Sequence, residues 1–418
     1  MASSAAVASA APAPSVGAQS QTGLARLPFL LAVVGGVGAL IGLLFPSLQK
    51  QFAFSWLLAF MFYLSIMLGS LFLVLLHHLF DAQWSVPIRR LNEHLACSAP
   101  VLAVLFVPIL FNALFAGPDK ALFAWMHADV AHDHALYAKK ALFNKPVWVV
   151  VSLLLFVVWH WLTNSFRKAS LEQDRTGSAA CTHRMRFLAA LGIFVFAFSL
   201  TLGAILWMKS LQWQWFSTMY GVYYFAGSVW LTVATVYVIT IHLSKSGPLT
   251  PVIRPVIFHD IGKLFFAFTV FYAYIAFSQY FLIWNAHIPE ETFWYVLREK
   301  GSWWSIGMLM IFGHFFLPFL ILLRIDTKMS FTVMLPLAAW AWVMHFCDLS
   351  FNIMPVLHPD GFVVHWLDLA CLAFMGGVLA IWFIRNFSSH PPFPQKDPRM
   401  AECLGIHLPA GKATGGAH

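Results

Sequence analysis

The feature that limits this chain most is a run of 26 residues, 264–289, without one formally charged side chain. Crossing the hydrocarbon of a bilayer takes about 20 apolar residues in a helix, and the segment 260–286 supplies them. Nine further stretches qualify: 27–45, 52–80, 95–115, 146–166, 187–208, 215–243, 303–324, 330–352 and 362–384. Over the whole chain 60% of residues are hydrophobic and 10% are charged, against about 25% charged in a soluble domain. The backbone of such spans must satisfy its own hydrogen bonds. The expected fold is therefore an all-α polytopic membrane protein with ten transmembrane helices occupying 26–385, between a flexible N-terminal tail (1–25) and a C-terminal tail (386–418).

An even number of spans puts both tails on one side. Of the 25 Lys and Arg residues, 17 fall on that side, Arg89, Arg90, Arg167, Lys168 and Lys263 among them. Basic residues concentrate in cytoplasmic loops, so both termini are expected in the cytoplasm. The net charge of +8 is spread over loops with no basic run, which points to membrane topology and away from nucleic-acid binding. The five cysteines form no C-x-x-C and no C-x-x-C-H, so an iron–sulfur cluster or a c-type haem has no visible ligand set. His127, His132 and His134 share the longest outward loop, at a spacing that fits no tight metal site. The first 25 residues have no positive n-region and read as a tail, not as a cleavable signal.

Polar side chains inside the spans carry what functional signal there is. In the seventh span Asp260, Lys263, Tyr274, Ser278 and Asn285 fall, with Ala267, Phe271 and Phe281, within one arc of roughly 80°. That seam runs some 38 Å, the depth of a membrane, and the cost of exposing charge to lipid predicts that it turns toward the bundle interior. Asp260 and Lys263, three apart, can pair. The ninth span places His345, Asp348 and Asn352 at i, i+3 and i+7, beside Ala338 and Ala341, where a neighbouring backbone can come close. The tenth begins with His365 and Asp368, the latter the strongest single candidate for a functional acid. In the eighth, His314 lies near mid-span, and Pro318 cannot donate to the carbonyl of residue 314, which predicts a kink with a freed carbonyl. His77, His78, Glu93 and His94 add titratable groups on the tail side. His345 and His358 have the separation of paired b-haem ligands, but Pro355 and a loop intervene, so no haem is expected in this chain.

Three segments, WSVPIRRLNEHL (84–95), HDIGKLFFAFTVFYAYIAFSQYFLIW (259–284) and NAHIPEETFWY (285–295), resemble the second NrfD-like membrane subunit of bacterial alternative complex III, the ActF-type subunit of a quinol:cytochrome c oxidoreductase. The resemblance implies two four-helix bundles with flanking helices, in a bacterial plasma-membrane respiratory complex. It implies, as partners, another NrfD-like subunit, an iron–sulfur subunit, multihaem and monohaem c-type cytochromes and a terminal oxidase. Haems and clusters would then belong to the partners, with no cofactor held by this chain.

Within that setting the expected role is a transmembrane proton path and a docking platform for the redox subunits. Asp260 and Lys263 would form its cytoplasmic end, His314, Tyr274 and Ser278 its middle, and His345, Asp348, His365 and Asp368 its outer end. One rival reading makes His345, Asp348, His365, Asp368 and Trp342 a quinol site, with His and Asp as base and orienter. Others are a secondary transporter, of which His160 and His314 in like positions give a weak echo, and a scaffold whose polar stripes only join helices.

Overall fold

A computed structural model describes residues 26–245 and 247–405. The expected N-terminal tail, 1–25, and residues 406–418 lie outside the described part. Among the described residues there are ten membrane-length apolar helices: α1 (Arg26–Leu44), α2 (Gln49–Leu79), α3 (Gln83–Phe115), α4 (Lys145–Thr176), α5 (Ala179–Trp207), α6 (Tyr220–Lys245), α7 (Pro255–Ala286), α8 (Trp303–Leu322), α9 (Phe331–Val356) and α10 (Trp366–Ser388). Each expected stretch corresponds to one of them. The face that carries the start of α1 and the end of α10 is called the near face below, and the opposite one the far face.

Prolines set the breaks. α3 consists of Val86–Ala96, Ala99–Leu105 and Val107–Phe115, and each piece has a proline in its first turn, where the missing N–H is not needed. In α8 the residues before Pro318, Met310–Phe316, widen into a π-helical turn, the usual way such an irregularity is absorbed. The carbonyl that finds an outside partner is that of Gly313, one residue before the expected one; it accepts from the Trp340 indole of α9 at 2.8 Å. α4 outruns its expected end by nearly three turns and stops at Gly177, which adopts φ +70°. The added turns are rich in good helix formers, and they bury Ser170 and Gln173 against α3.

α2 to α5 close into one four-helix bundle and α6 to α9 into a second; the larger apolar cluster fills the first and continues into the far ends of α6 and α9, and a smaller one lies mostly within the second. α2 and α6 pack along each other where the bundles meet and are almost wholly buried. α1 and α10 flank the pair. They approach to backbone contact: a Cβ added at Gly35 would lie 2.3 Å from the Phe374 nitrogen, and one at Gly377 2.4 Å from the Pro28 carbonyl oxygen. Close approach through glycine is how membrane helices gain packing energy without a hydrophobic drive. Beyond α10 the chain folds back across the near face, where Gln395 N donates to Asp174 and Lys396 to the Arg175 carbonyl.

Candidate functional site

The far half of the second bundle is organised round Asp348. α9 reads His345, Asp348 and Asn352 along one face, and all three are buried, as that spacing led us to expect. α6 can approach them because Gly227 stands opposite; a Cβ there would meet His345 at 3.3 Å and Asp348 at 3.5 Å. One carboxylate oxygen of Asp348 accepts from the Tyr223 hydroxyl of α6, the Tyr272 hydroxyl of α7 at 2.9 Å and the Asn352 amide at 3.3 Å. The two phenol oxygens are 2.8 Å apart. No cation lies within ion-pair distance of Asp348 among the described residues. Neutral donors alone satisfy it.

Two histidines adjoin this acid. His314 sits between Trp230 and Tyr272, with ring centroids at 3.9 and 3.8 Å, and neither of its nitrogens has a protein partner. His345 Nε2 lies 3.0 Å from Ser65 Oγ, whose own proton goes to the Met61 carbonyl at 2.9 Å. The ring must therefore donate from Nε2, which leaves Nδ1 as a bare acceptor, and that atom is buried without a partner. Arg298, from the short helix Pro289–Arg298, roofs the cluster. Its guanidinium stacks on Trp294 and donates to the Phe351 and Asn352 carbonyls at 2.7 and 3.0 Å, capping the far end of α9.

Asp368 belongs to a separate far cluster. Its oxygens accept from Ser55 at 2.5 Å, Gln51 at 3.3 Å and the backbone N–H of His365 at 2.9 Å, while His365 Nδ1 accepts from Leu367 N. The pair thus forms a capping box at the start of α10. Gln51 continues to the His358 ring at 2.8 Å. The expected single corridor along α7 to α10 is corrected here: α10 packs on α1 and α2, so the partners of Asp368 come from α2. The residues of the quinol alternative are likewise divided between clusters. His345 and Asp348 lie in one cluster and His365 and Asp368 in another, while Trp342 packs on Phe62 beside His345 and donates to Thr235 at 3.0 Å.

Neither a protein-family model nor a curated protein matches the chain.

A second correction concerns the seam on α7. Tyr274 is 64% exposed, Asn285 is exposed and bonded to its own helix, and Ser278 is half-buried. The arc turned inward is the one carrying Thr269, Tyr272 and Gln279, about 200° round the helix from Tyr274 to Tyr272. Asp260 and Lys263 do pair, at 2.6 Å, with Lys263 more than half exposed at the near surface. His132 in the far-face loop pairs with Asp129 at 2.7 Å; no group of three or more His, Cys, Asp or Glu side chains among the described residues is placed to hold a metal.

On the near side the groups that are both titratable and buried are others. Arg89 and Arg90 open α3 and share Glu93, one turn on, at 3.1 and 3.6 Å. Arg89 also meets Asp397, and Arg90 meets Asp174. Arg399 bonds Asp81 and lies 3.4 Å from Asp397. His77 Nδ1 faces Ser85 at 2.7 Å. Asp81 stands in the left-handed turn after α2 at φ 54°, and its hydrogen bond to Arg186, with Arg399 beside it, holds its carboxyl below the usual range. Arg89, Arg90, Glu93 and His94 all lie in the segment WSVPIRRLNEHL. From sequence alone Glu93 and His94 stand out as titratable and the two arginines only as markers of orientation, and no local signal points to Asp397 and Arg399, some 300 residues away.

Proposed function

We propose that this chain is the integral membrane subunit of a respiratory quinol:acceptor oxidoreductase complex, of the alternative complex III type, and that it carries protons while partner subunits hold the redox centres. The observation that supports this reading above the others is Asp348: a carboxyl group buried in the far half of a membrane domain, held only by hydroxyl and amide donors. Buried acids in membrane spans are costly to keep and usually mark ion or proton pathways.

The path favoured here runs along α2 and α6, not along the outer seam of α7. It starts at the near cluster, where His78 and Asn92 have buried polar atoms without protein partners. It passes Ser70, also unpartnered, then Thr232 and Ser65, and ends at His345 Nδ1, His314 and Asp348. Buried polar atoms left unpaired by protein are where bound water is expected. From Ser65 to His78 the rise along α2 is about 20 Å, a distance such waters would have to bridge. The Asp368 cluster, reaching half-buried His358, would serve release at the far surface.

The decisive experiment uses the assembled complex, purified gently from its native membrane and reconstituted in vesicles. It should come with subunits that bear haem and iron–sulfur clusters. In Asp348→Asn proton translocation should fall at least about a hundredfold, the lower end of the scale for losing one proton-transfer group, with assembly intact. A haem-free isolate, or unchanged translocation in Asp348→Asn and Asp368→Asn together, refutes the proposal.

A further inference from the structure

A cavity of about 570 Å³ lies in the near half of the domain, away from Asp348, with walls from α2, α3, α6, α9 and α10. α9 and α10 do not pack along each other, so the cavity is a crevice between them, with Leu335 and Ala339 exposed at its mouth. By the positions of its lining residues it runs from His94 and Trp382 near the surface inward to Tyr63 and Trp342 at mid-depth. Its volume is that of a small-ligand site.

Most polar atoms in the lining are already used. Tyr63 donates to the Leu372 carbonyl, Trp342 to Thr235, Thr235 to the Leu231 carbonyl and Ser98 to the Leu95 carbonyl. Two are not. His94 is 0% exposed with both ring nitrogens unpartnered, and the Trp382 indole N–H is buried and unpartnered as well. Both sit at the near end. Beside them, His390 has its ring 5.4 Å from that of His94 and is itself bonded by Arg167 at 3.1 Å. Neither Arg167 nor exposed Arg385, one turn beyond Trp382, meets an acid among the described residues. An apolar slot open to the bilayer thus ends in two unpartnered polar side chains, with two arginines beside it that face no acid, Arg167 bonding Asn386 at 3.2 Å and His390.

We infer that this crevice is a specific site for one anionic phospholipid of the near leaflet. One acyl chain lies between α9 and α10, and the phosphate and ester oxygens meet His94, Trp382 and Arg167. A partner helix about 10 Å across would need several times the volume over the same depth. A neutral isoprenoid quinone would leave Arg167 without its counter-charge. Guanidinium and phosphate form the strongest of the ordinary hydrogen-bonded pairs.

The test takes the full chain, with whatever partners accompany it, from its native membrane in mild detergent. After extended washing, bound lipid is counted by native mass spectrometry and by phosphate assay. About one anionic phospholipid should remain on each chain, as expected of an enclosed pocket of this size. Ala380→Trp, which fills the slot, and Ala339→Trp, which blocks its mouth from the exposed side, should each lower that occupancy about tenfold without changing the thermal midpoint. Arg167→Gln should keep a lipid but lose about tenfold in preference for an anionic over a zwitterionic headgroup. Retention of a quinone instead, no retained lipid, wild-type retention in both tryptophan variants, or indifference of the wild type to headgroup charge would each overturn the assignment.

Discussion

The near and far halves of this domain both bury acids, and they treat them in opposite ways. Near the termini Glu93, Asp397 and Asp174 each face a guanidinium. In the far half Asp348 faces two phenols and an amide, and Asp368 a serine, a glutamine and a backbone N–H. A buried ion pair is a matched set of fixed charges, and removing either member strands the other in a medium that cannot solvate it. An acid held by neutral donors can gain or lose a proton without stranding a partner. The near cluster is thus suited to fastening helices and the C-terminal segment together, the far clusters to changing state.

That contrast is open to attack, and the largest effect is expected on the near side. Arg89→Met leaves Glu93 without its closer guanidinium and Asp397 without its closest, and should cost about 3–5 kcal/mol. The measurement is the unfolding midpoint in detergent, or failure to accumulate in the membrane. A wild-type midpoint in Arg89→Met would mean the cluster is solvated and no lock. Asp348→Asn removes no ion pair and keeps an acceptor oxygen for Tyr223 and Tyr272. Its stability should fall by about 1–2 kcal/mol, the scale of a rearranged buried hydrogen bond, while proton translocation collapses. Equal destabilisation in the two variants would erase the distinction between the halves.

Cations extend the comparison. On the far face Lys209 is 8% exposed and has no acid within pairing distance among the described residues. Burial, with Lys139 nearby, pulls its ammonium down to about 7 from the ordinary 10.5. Between those two values the unfolded chain binds the extra proton, so stability rises with pH from about 7 toward 10.5 and the penalty is complete below 7. Lys209→Met should therefore raise the unfolding midpoint at pH 6 and leave it nearly unchanged at pH 10. A gain of equal size at both values would show that the change is one of packing.

How much of this was legible depends on which force does the reporting. The ten spans were plain because the bilayer sets a length and punishes charge within it. The face of α9 was plain too, because His345, Asp348 and Asn352 leave no other arc for polar groups. α7 was read in the right period and the wrong rotation. It carries hydroxyls on both arcs, and its lipid face is as apolar as its core face, so no amphipathic contrast tells which side turns in. What decides is the reach of Tyr272 to Asp348, 76 residues on, and no local pattern encodes that. The split between Asp348 and Asp368 was hidden for a related reason. Their similar settings in adjacent spans suggested one corridor, whereas the glycines of α1 draw α10 onto α1 and α2, leaving a crevice between it and α9.

The smallest effects expected are on the seam that faces outward, and they test the rotation of α7 directly. Tyr274→Phe removes a hydroxyl from a side chain 64% exposed, and a surface change away from any special feature stays within about 0.5 kcal/mol. Lys263→Met opens one pair whose lysine is 56% exposed, and such pairs contribute about 0–1 kcal/mol. Tyr272→Phe, two residues along and buried, removes a donor to Asp348 and should lower both stability and translocation. If Tyr274→Phe stops proton translocation while Tyr272→Phe leaves it untouched, α7 conducts along its outer arc and the inward cluster has no part in the path.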